Sequence, residues 1–207
     1  MQISHNEVEN YLESIQPKLS ETHQRLENFA LKTDFPVVGK VVGNFLSQLV
    51  LLTNSKLIFE VGSGFGYSAF WFARNLPENG KIICTDLNPK YKEMATESFL
   101  EEGISEKIEF CVGNGLTILE EQTEKFDLIL LDCDKYLYPK ALPIAKEKLK
   151  LGGLLVTDNI LRVKKKKVPQ KINPYLETYR KMLLESEEFH TTILPLKDGI
   201  GLSYKIK

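Results

Sequence analysis

The chain has 207 residues, 43% of them hydrophobic and 27% charged, with a formal net charge of −1. That is enough chain for one substantial core, and the near-neutral balance supplies no overall field to gather nucleic acid or an acidic membrane. No apolar run approaches the roughly 20 residues of a membrane span, and the first residues lack the basic-then-apolar layout of a signal peptide.

Val8, Tyr11, Leu12 and Ile15 recur at helical spacing, and Pro17 ends that segment. A second helix is expected from Glu21 to Leu31, followed by a loop through Asp34-Phe-Pro-Val-Val-Gly-Lys. Val42, Phe45, Leu46 and Leu49 then form a third helical face. These helices precede the first strand and stand outside any βαβ unit, so they serve either packing and dimer contact or a lid over a site. The expected organisation is a single domain, with helices and lid in residues 1–53 and an α/β core in residues 54–207.

From Lys56 onward strands and helices alternate. Leu57, Ile58, Phe59 and Val61 form a short apolar run that suits a parallel strand buried on both faces. It stops at Gly62, Gly64 and Gly66, whose freedom suits a tight turn that approaches a ligand. Ala69, Phe72, Ala73 and Leu76 then take up helical spacing. Further strands are expected over Lys81 to Asp86, Lys107 to Val112, Phe126 to Leu131 and Leu154 to Thr157, the last after a Gly152-Gly153 turn. Tyr91, Ala95 and Phe99 mark a helix stopped by Gly103. Tyr138, Leu142, Ala145 and Leu149 mark another, its first turn delayed or kinked by Pro143. Tyr175, Tyr179, Met182 and Leu183 mark the last. Two strands, His190 to Leu194 and Ile200 to Ile206, finish the chain as an antiparallel hairpin around Lys197-Asp198-Gly199.

Strand, glycine turn and helix open a nucleotide-type site, with Glu60 near the strand's end. The dinucleotide fingerprint G-x-G-x-x-G fails in both registers, because Tyr67 and Phe70 stand where a third glycine is needed. A dehydrogenase is thereby disfavoured. Asp86 ends the second strand, where an acidic residue can hydrogen-bond ribose hydroxyls or complement the next helix's dipole. Asp132 and Asp134, with Lys135, follow the fourth strand; Asp158 and Asn159 follow the fifth. Side chains at neighbouring strand ends converge, so Asp132, Asp158 and Asn159 can offer oxygens to one hard cation, Mg²⁺ first, with Mn²⁺ or Ca²⁺ possible. Separate helix capping is the alternative for each cluster. Cys84, Cys111 and Cys133 lie in or beside apolar runs, and with the scattered His5, His23 and His190 they make no zinc spacing. Reduced thiols imply a cytoplasmic protein.

Glu60-Val-Gly-Ser-Gly-Phe-Gly-Tyr-Ser, Asp86-Leu-Asn-Pro, Asp132-Cys-Asp-Lys-Tyr-Leu-Tyr-Pro, Thr157-Asp-Asn and Leu194-Pro-Leu-Lys-Asp-Gly together resemble the cation-dependent, S-adenosylmethionine-dependent O-methyltransferases of the catechol and caffeoyl-CoA group. The resemblance runs from about Asp34 to the C-terminus. It implies a Rossmann-like class I methyltransferase fold, with a seven-stranded, mostly parallel sheet, one antiparallel strand and added N-terminal helices, and commonly a homodimer. It implies that Asp132, Asp158 and Asn159 hold the divalent cation and that Lys135 is the base. S-adenosylmethionine would be held by Glu60, Gly62, Ser63, Tyr67, Ser68, Asp86, Asn114 and Asp132, with Val38 against it.

The chain departs from the pattern twice. An Asp is usual after the glycine near the third strand, whereas Gly113 is followed by Asn114, whose carbonyl can still meet an exocyclic amine. After Asp158-Asn159, relatives continue Val-Leu-Trp-x-Gly, whereas here Ile160-Leu-Arg-Val leads into Lys164 to Lys167. The implied reaction is in-line methyl transfer to a hydroxyl of a small catechol-like acceptor. A hydroxylated uridine in tRNA is the rival acceptor, for which Arg162, Lys164 to Lys167 and Lys171 would meet phosphates; a solvated loop explains the same run. A non-catalytic nucleotide-binding protein is a further alternative, and the intact Asp132, Lys135, Asp158 and Asn159 set speaks against it.

Overall fold

The computed structural model describes residues 5–161 and 174–207. Its strands are β1 Leu57–Val61, β2 Lys81–Asp86, β3 Ile108–Val112, β4 Phe126–Leu131, β5 Leu149–Thr157, β6 Phe189–Leu194 and β7 Ile200–Lys205. Among the described residues they form one sheet in the order β3-β2-β1-β4-β5-β7-β6. The first five run parallel, and β7 is antiparallel to both β5 and β6. The helices are α1 His5–Ser14, α2 Glu21–Thr33, α3 Gly39–Thr53, α4 Tyr67–Ala73, α5 Pro89–Glu102, α6 Gly115–Glu121, α7 Tyr138–Lys148 and α8 Pro174–Leu184.

Successive side chains of a strand point to opposite faces, so a sheet covered on both sides needs apolar residues at every position. β1 does this at every position but Glu60: Ile58 enters a core shared with α2, α3, α4 and α5, while Phe59 and Val61 enter another shared with α6, α7 and α8. No described helix is long and apolar enough to cross a membrane.

Four local expectations are corrected. Helix α6 was not foreseen; it has seven residues, of which Leu116 and Leu119 are buried, too short a stripe to show as periodicity. Strand β5 begins at Leu149, because Gly152 and Gly153 lie inside it beside a register shift against β4. Glycine inside a strand commonly marks such an irregularity. Helix α7 runs from Tyr138 through Pro143 without delay, started by Pro139. Helix α8 buries Leu176, Tyr179 and Leu183, while Tyr175 and Met182 face outward.

Candidate active site

The ends of the central strands lie in one row: Val61 pairs with Leu131, and Leu131 with Thr157. The residues just beyond them therefore meet at the carboxyl edge of the sheet, where open α/β folds bind ligands. A cavity of about 390 Å³ opens there, a size ordinary for a small-molecule site. Its walls include Gly62, Ser63, Tyr67, Ser68, Asp86 and Asn114 on one side, and Asp132, Lys135, Asp158 and Asn159 on the other. Val38 joins them from the loop before α3, with Phe35, Pro36 and Val37. That loop is held by ring contacts of Phe35 with Phe65 at 4.9 Å and with Tyr91 at 5.2 Å.

The glycine turn is shaped by the protein's own crowding. Gly62 has φ +90°, and a Cβ there would lie 2.5 Å from the Asp132 carbonyl oxygen. Gly64, at φ +51°, would meet the Phe35 ring at 2.9 Å. Asp86 fastens the turn to β2: its carboxylate accepts hydrogen bonds from the Gly64 N–H at 3.0 Å and the Asn88 N–H at 2.9 Å. The helix start that Asp86 could have served is capped by Asn88, which accepts from the Lys90 N–H at 3.1 Å.

Two expected donor-side residues stand differently from expectation. Glu60 is not in the cavity wall; it is buried at 1% exposure, where it accepts hydrogen bonds from the Ser68 hydroxyl and, at 3.7 Å, the Cys84 thiol. Burial pushes its carboxyl up to about 7, against the hydrogen bonds of Ser68, Ser63 and Cys84. Its place in the strand interior lets it fix Ser68, which does reach the cavity. Asn114 is in the wall, but its carbonyl caps α6, accepting from the Leu116 N–H at 3.0 Å and the Thr117 N–H at 3.3 Å. The oxygen expected to meet an exocyclic amine is thus engaged by backbone.

On the other side, Lys135 Nζ donates to Asp132 Oδ1 at 3.2 Å and to the Tyr138 hydroxyl at 2.7 Å. Asp158 is 5% exposed; burial, then the neighbouring Asp132, pushes its carboxyl up to about 7, with Lys135 pulling the other way. Asn159, at φ +54°, donates through Nδ2 to Asp158 Oδ2 at 2.9 Å. The turn after it is gripped by Arg180 Nη1, which donates to the Ile160 carbonyl at 2.7 Å. Asp134 makes no side-chain cap to the turn that follows it.

Among the described residues no three His, Cys, Asp or Glu side chains gather into a metal cluster. The candidate set is two carboxylates and one amide oxygen, and a buried carboxylate beside a second one is a charge arrangement that a cation relieves. Oxygen ligands alone suit a hard divalent ion, so the residues fit one. The sequence shows Tyr138 only as part of a helical face. Its spacing of three from Lys135 was the available signal, since such residues lie on one side of a helical turn. Arg162, Lys164 to Lys167 and Lys171 lie outside the described residues.

The sequence pattern of the O-methyltransferase family matches residues 13–206. The chain belongs to the O-methyltransferase family. The catechol O-methyltransferase of Niastella koreensis is 34% identical over 124 residues, which cover 58% of this chain and 56% of that enzyme. The caffeoyl-CoA O-methyltransferase of Eucalyptus gunnii is 30% identical over 210 residues, covering 94% of this chain and 84% of its own. Among solved structures, the O-methyltransferase TomG of Streptomyces achromogenes, in complex with S-adenosylmethionine, shares 25% identity at a TM-score of 0.84, over 97% of this chain and 96% of TomG. The O-methyltransferase fold here is therefore the Rossmann-like one, with its antiparallel β7 inserted between β5 and β6.

Proposed function

We propose that this O-methyltransferase moves the methyl group of S-adenosylmethionine to a hydroxyl of a small catechol-like or hydroxylated aromatic acceptor, with a divalent cation, Mg²⁺ first. One observation carries the reading: the glycine turn with Asp86, and the Asp132, Lys135, Asp158 and Asn159 group, line the same cavity. The SAM-bound TomG and the catechol and caffeoyl-CoA enzymes among the relatives support it.

In this reading the turn from Gly62 to Ser68 and the Asp86 carboxylate hold the donor, with Val38 closing one wall. Asp132, Asp158 and Asn159 would hold the cation, which when bound supplies Lewis-acid polarisation of an acceptor hydroxyl. Lys135 takes the hydroxyl proton. The acceptor oxygen forms a bond to the methyl carbon while the carbon–sulfur bond breaks, its electron pair staying on sulfur as the neutral thioether of S-adenosylhomocysteine. No covalent protein intermediate is needed, so alignment within the cavity supplies much of the acceleration. The apolar side chains of Phe35, Pro36 and Val37 limit water at the donor side.

The test is methylation of 3,4-dihydroxybenzoate followed with and without EDTA, beside calorimetry of S-adenosylmethionine binding. EDTA should abolish turnover, Mg²⁺ should restore it, and donor binding should persist. Asp158→Ala should reproduce the chelator effect in the presence of Mg²⁺ by removing one anionic ligand. Full turnover in chelator would remove the cation from the reading, and a folded protein that does not bind S-adenosylmethionine would sink it altogether.

A further inference from the structure

Tyr138 is fully buried at 0% exposure and stands behind the cavity wall, its ring against that of Tyr179 at 5.2 Å. Its oxygen meets three groups from three segments. These are the Leu131 carbonyl at the end of β4 (3.0 Å), the Asp158 carbonyl beyond β5 (2.9 Å) and Lys135 Nζ (2.7 Å). A phenol has one proton, and both carbonyls can only accept, so that proton is committed to them. The bond to Lys135 must therefore run from the amine to the phenol oxygen.

This direction constrains the lysine. Nζ has four tetrahedral positions: one holds Cε, one points to Tyr138, and one points to Asp132 Oδ1 at 3.2 Å. The position left over is free to meet a ligand in the cavity that Lys135 lines. We propose that Tyr138 is a positioning residue that, with Asp132, holds the Lys135 amine in one place at the cavity wall. The proposal rests on the reading of Lys135 as the base. In the step it serves, the acceptor O–H bond breaks, the proton forms a new N–H bond at Nζ, and it is afterwards released to solvent. Without the phenol oxygen the amine loses one of its two anchors, and Nζ can move away with other rotamers of the lysine side chain.

A tyrosine serving only to join β4 to β5 would stabilise the fold without acting through Lys135, and a double-mutant cycle separates the two roles. The rates to compare are kcat for 3,4-dihydroxybenzoate with S-adenosylmethionine and Mg²⁺, in wild type, Tyr138→Phe, Lys135→Ala and the double variant. Tyr138→Phe should lower kcat by roughly 10- to 100-fold, the scale of a misplaced reacting group. KM for both substrates should stay unchanged, and the double variant should be no slower than Lys135→Ala. Equal losses in both backgrounds, or a wild-type kcat for Tyr138→Phe, would overturn the proposal. Wild-type activity in Lys135→Ala would instead overturn the role of the lysine, a separate signature. A crystal structure of Tyr138→Phe with S-adenosylhomocysteine needs no turnover: Lys135 Nζ should leave its present place, and an unmoved amine refutes the idea. Should the Phe variant not fold, 3-fluorotyrosine at 138 keeps the ring and both carbonyl bonds while weakening the oxygen as an acceptor. It should slow kcat several-fold only where Lys135 is present, and an unchanged kcat counts against the proposal.

Discussion

His23 is a basic side chain enclosed by rings, at 4.6 Å from Tyr67, 4.9 Å from Phe70 and 5.2 Å from Trp71 between centroids. It is 1% exposed, and its Nε2 has no hydrogen-bond partner among the described residues. Burial, and then the charge of Arg74, lower its pKa from 6.5 to about 3. Between those limits the unfolded chain binds a proton that the native protein refuses, so stability rises with pH across the window. The contribution is complete above about pH 6.5 and is lost as pH falls toward 3. At about 1.4 kcal/mol per unit, the loss is on the order of 3 kcal/mol by pH 4. His23→Phe should flatten this slope, because a phenyl ring keeps the stacking and has nothing to protonate. Urea unfolding of both proteins from pH 7 to 4 checks it, and parallel stability curves would sink it. The sequence showed His23 only as one of three scattered histidines. The motif residues were legible because glycine spacing and acidic strand ends constrain chemistry locally. His23 draws its character from rings and charges distant in the chain, and Tyr138 from two backbone carbonyls besides the nearby Lys135, so spacing reveals nothing of the first and only part of the second.

Elements were legible where their stripe was long and their ends carried a signal. The spans of β2 and β4 coincide with expectation, and Gly103 ends α5 in the left-handed conformation at φ +73°. Helix α6 and the early part of β5 escaped because a seven-residue helix and a glycine pair inside a strand look like connection. Packing between elements was hidden as well, and α3 shows this. Gly43 lies in the middle of it, where glycine costs about 1 kcal/mol relative to alanine in an exposed helix. Here a Cβ would fall within the indole of Trp71 on α4, and Trp71 is 0% exposed with no room to turn away. Overpacking a core costs about 1–3 kcal/mol, which exceeds the gain in propensity. Gly43→Ala should therefore destabilise the protein by about 1 kcal/mol or more, measured by chemical denaturation. A stabilised variant would mean that α3 can slide off α4 at little cost.

At the scale of the molecule, the alternation from Lys56 onward announces an α/β sheet, but the strand order comes from the structure alone, since periodicity carries no pairing information. The sequence leaves the N-terminal helices open between packing and a lid, and burial separates their roles. Helix α2 places His23, Leu26 and Ala30 among the buried residues, the last two in the core shared with α4. Its Glu27 accepts a hydrogen bond from the Tyr67 hydroxyl at 3.2 Å and pairs with Lys40 at 3.2 Å. Between Glu7 and Ile15, α1 and its end contain no buried residue; their ties include the pair of Glu13 with Lys197 at 3.0 Å, about one-third exposed on each side. Such a pair is worth about 0–1 kcal/mol. Removing residues 1–15 should thus lower Tm by only about 2–4 °C for a chain of this size. Affinity for S-adenosylmethionine should be unchanged, because the N-terminal part of the wall is Phe35 to Val38. Removing residues 1–33 is a different operation. It uncovers Phe70 and Trp71 and takes away the Glu27 bond to Tyr67, itself in the wall, so the shortened chain should fail to give a cooperative melt. Thermal melts and calorimetry on both truncations decide it: a 34–207 chain that melts cooperatively and binds the donor with full affinity would make α2 an accessory.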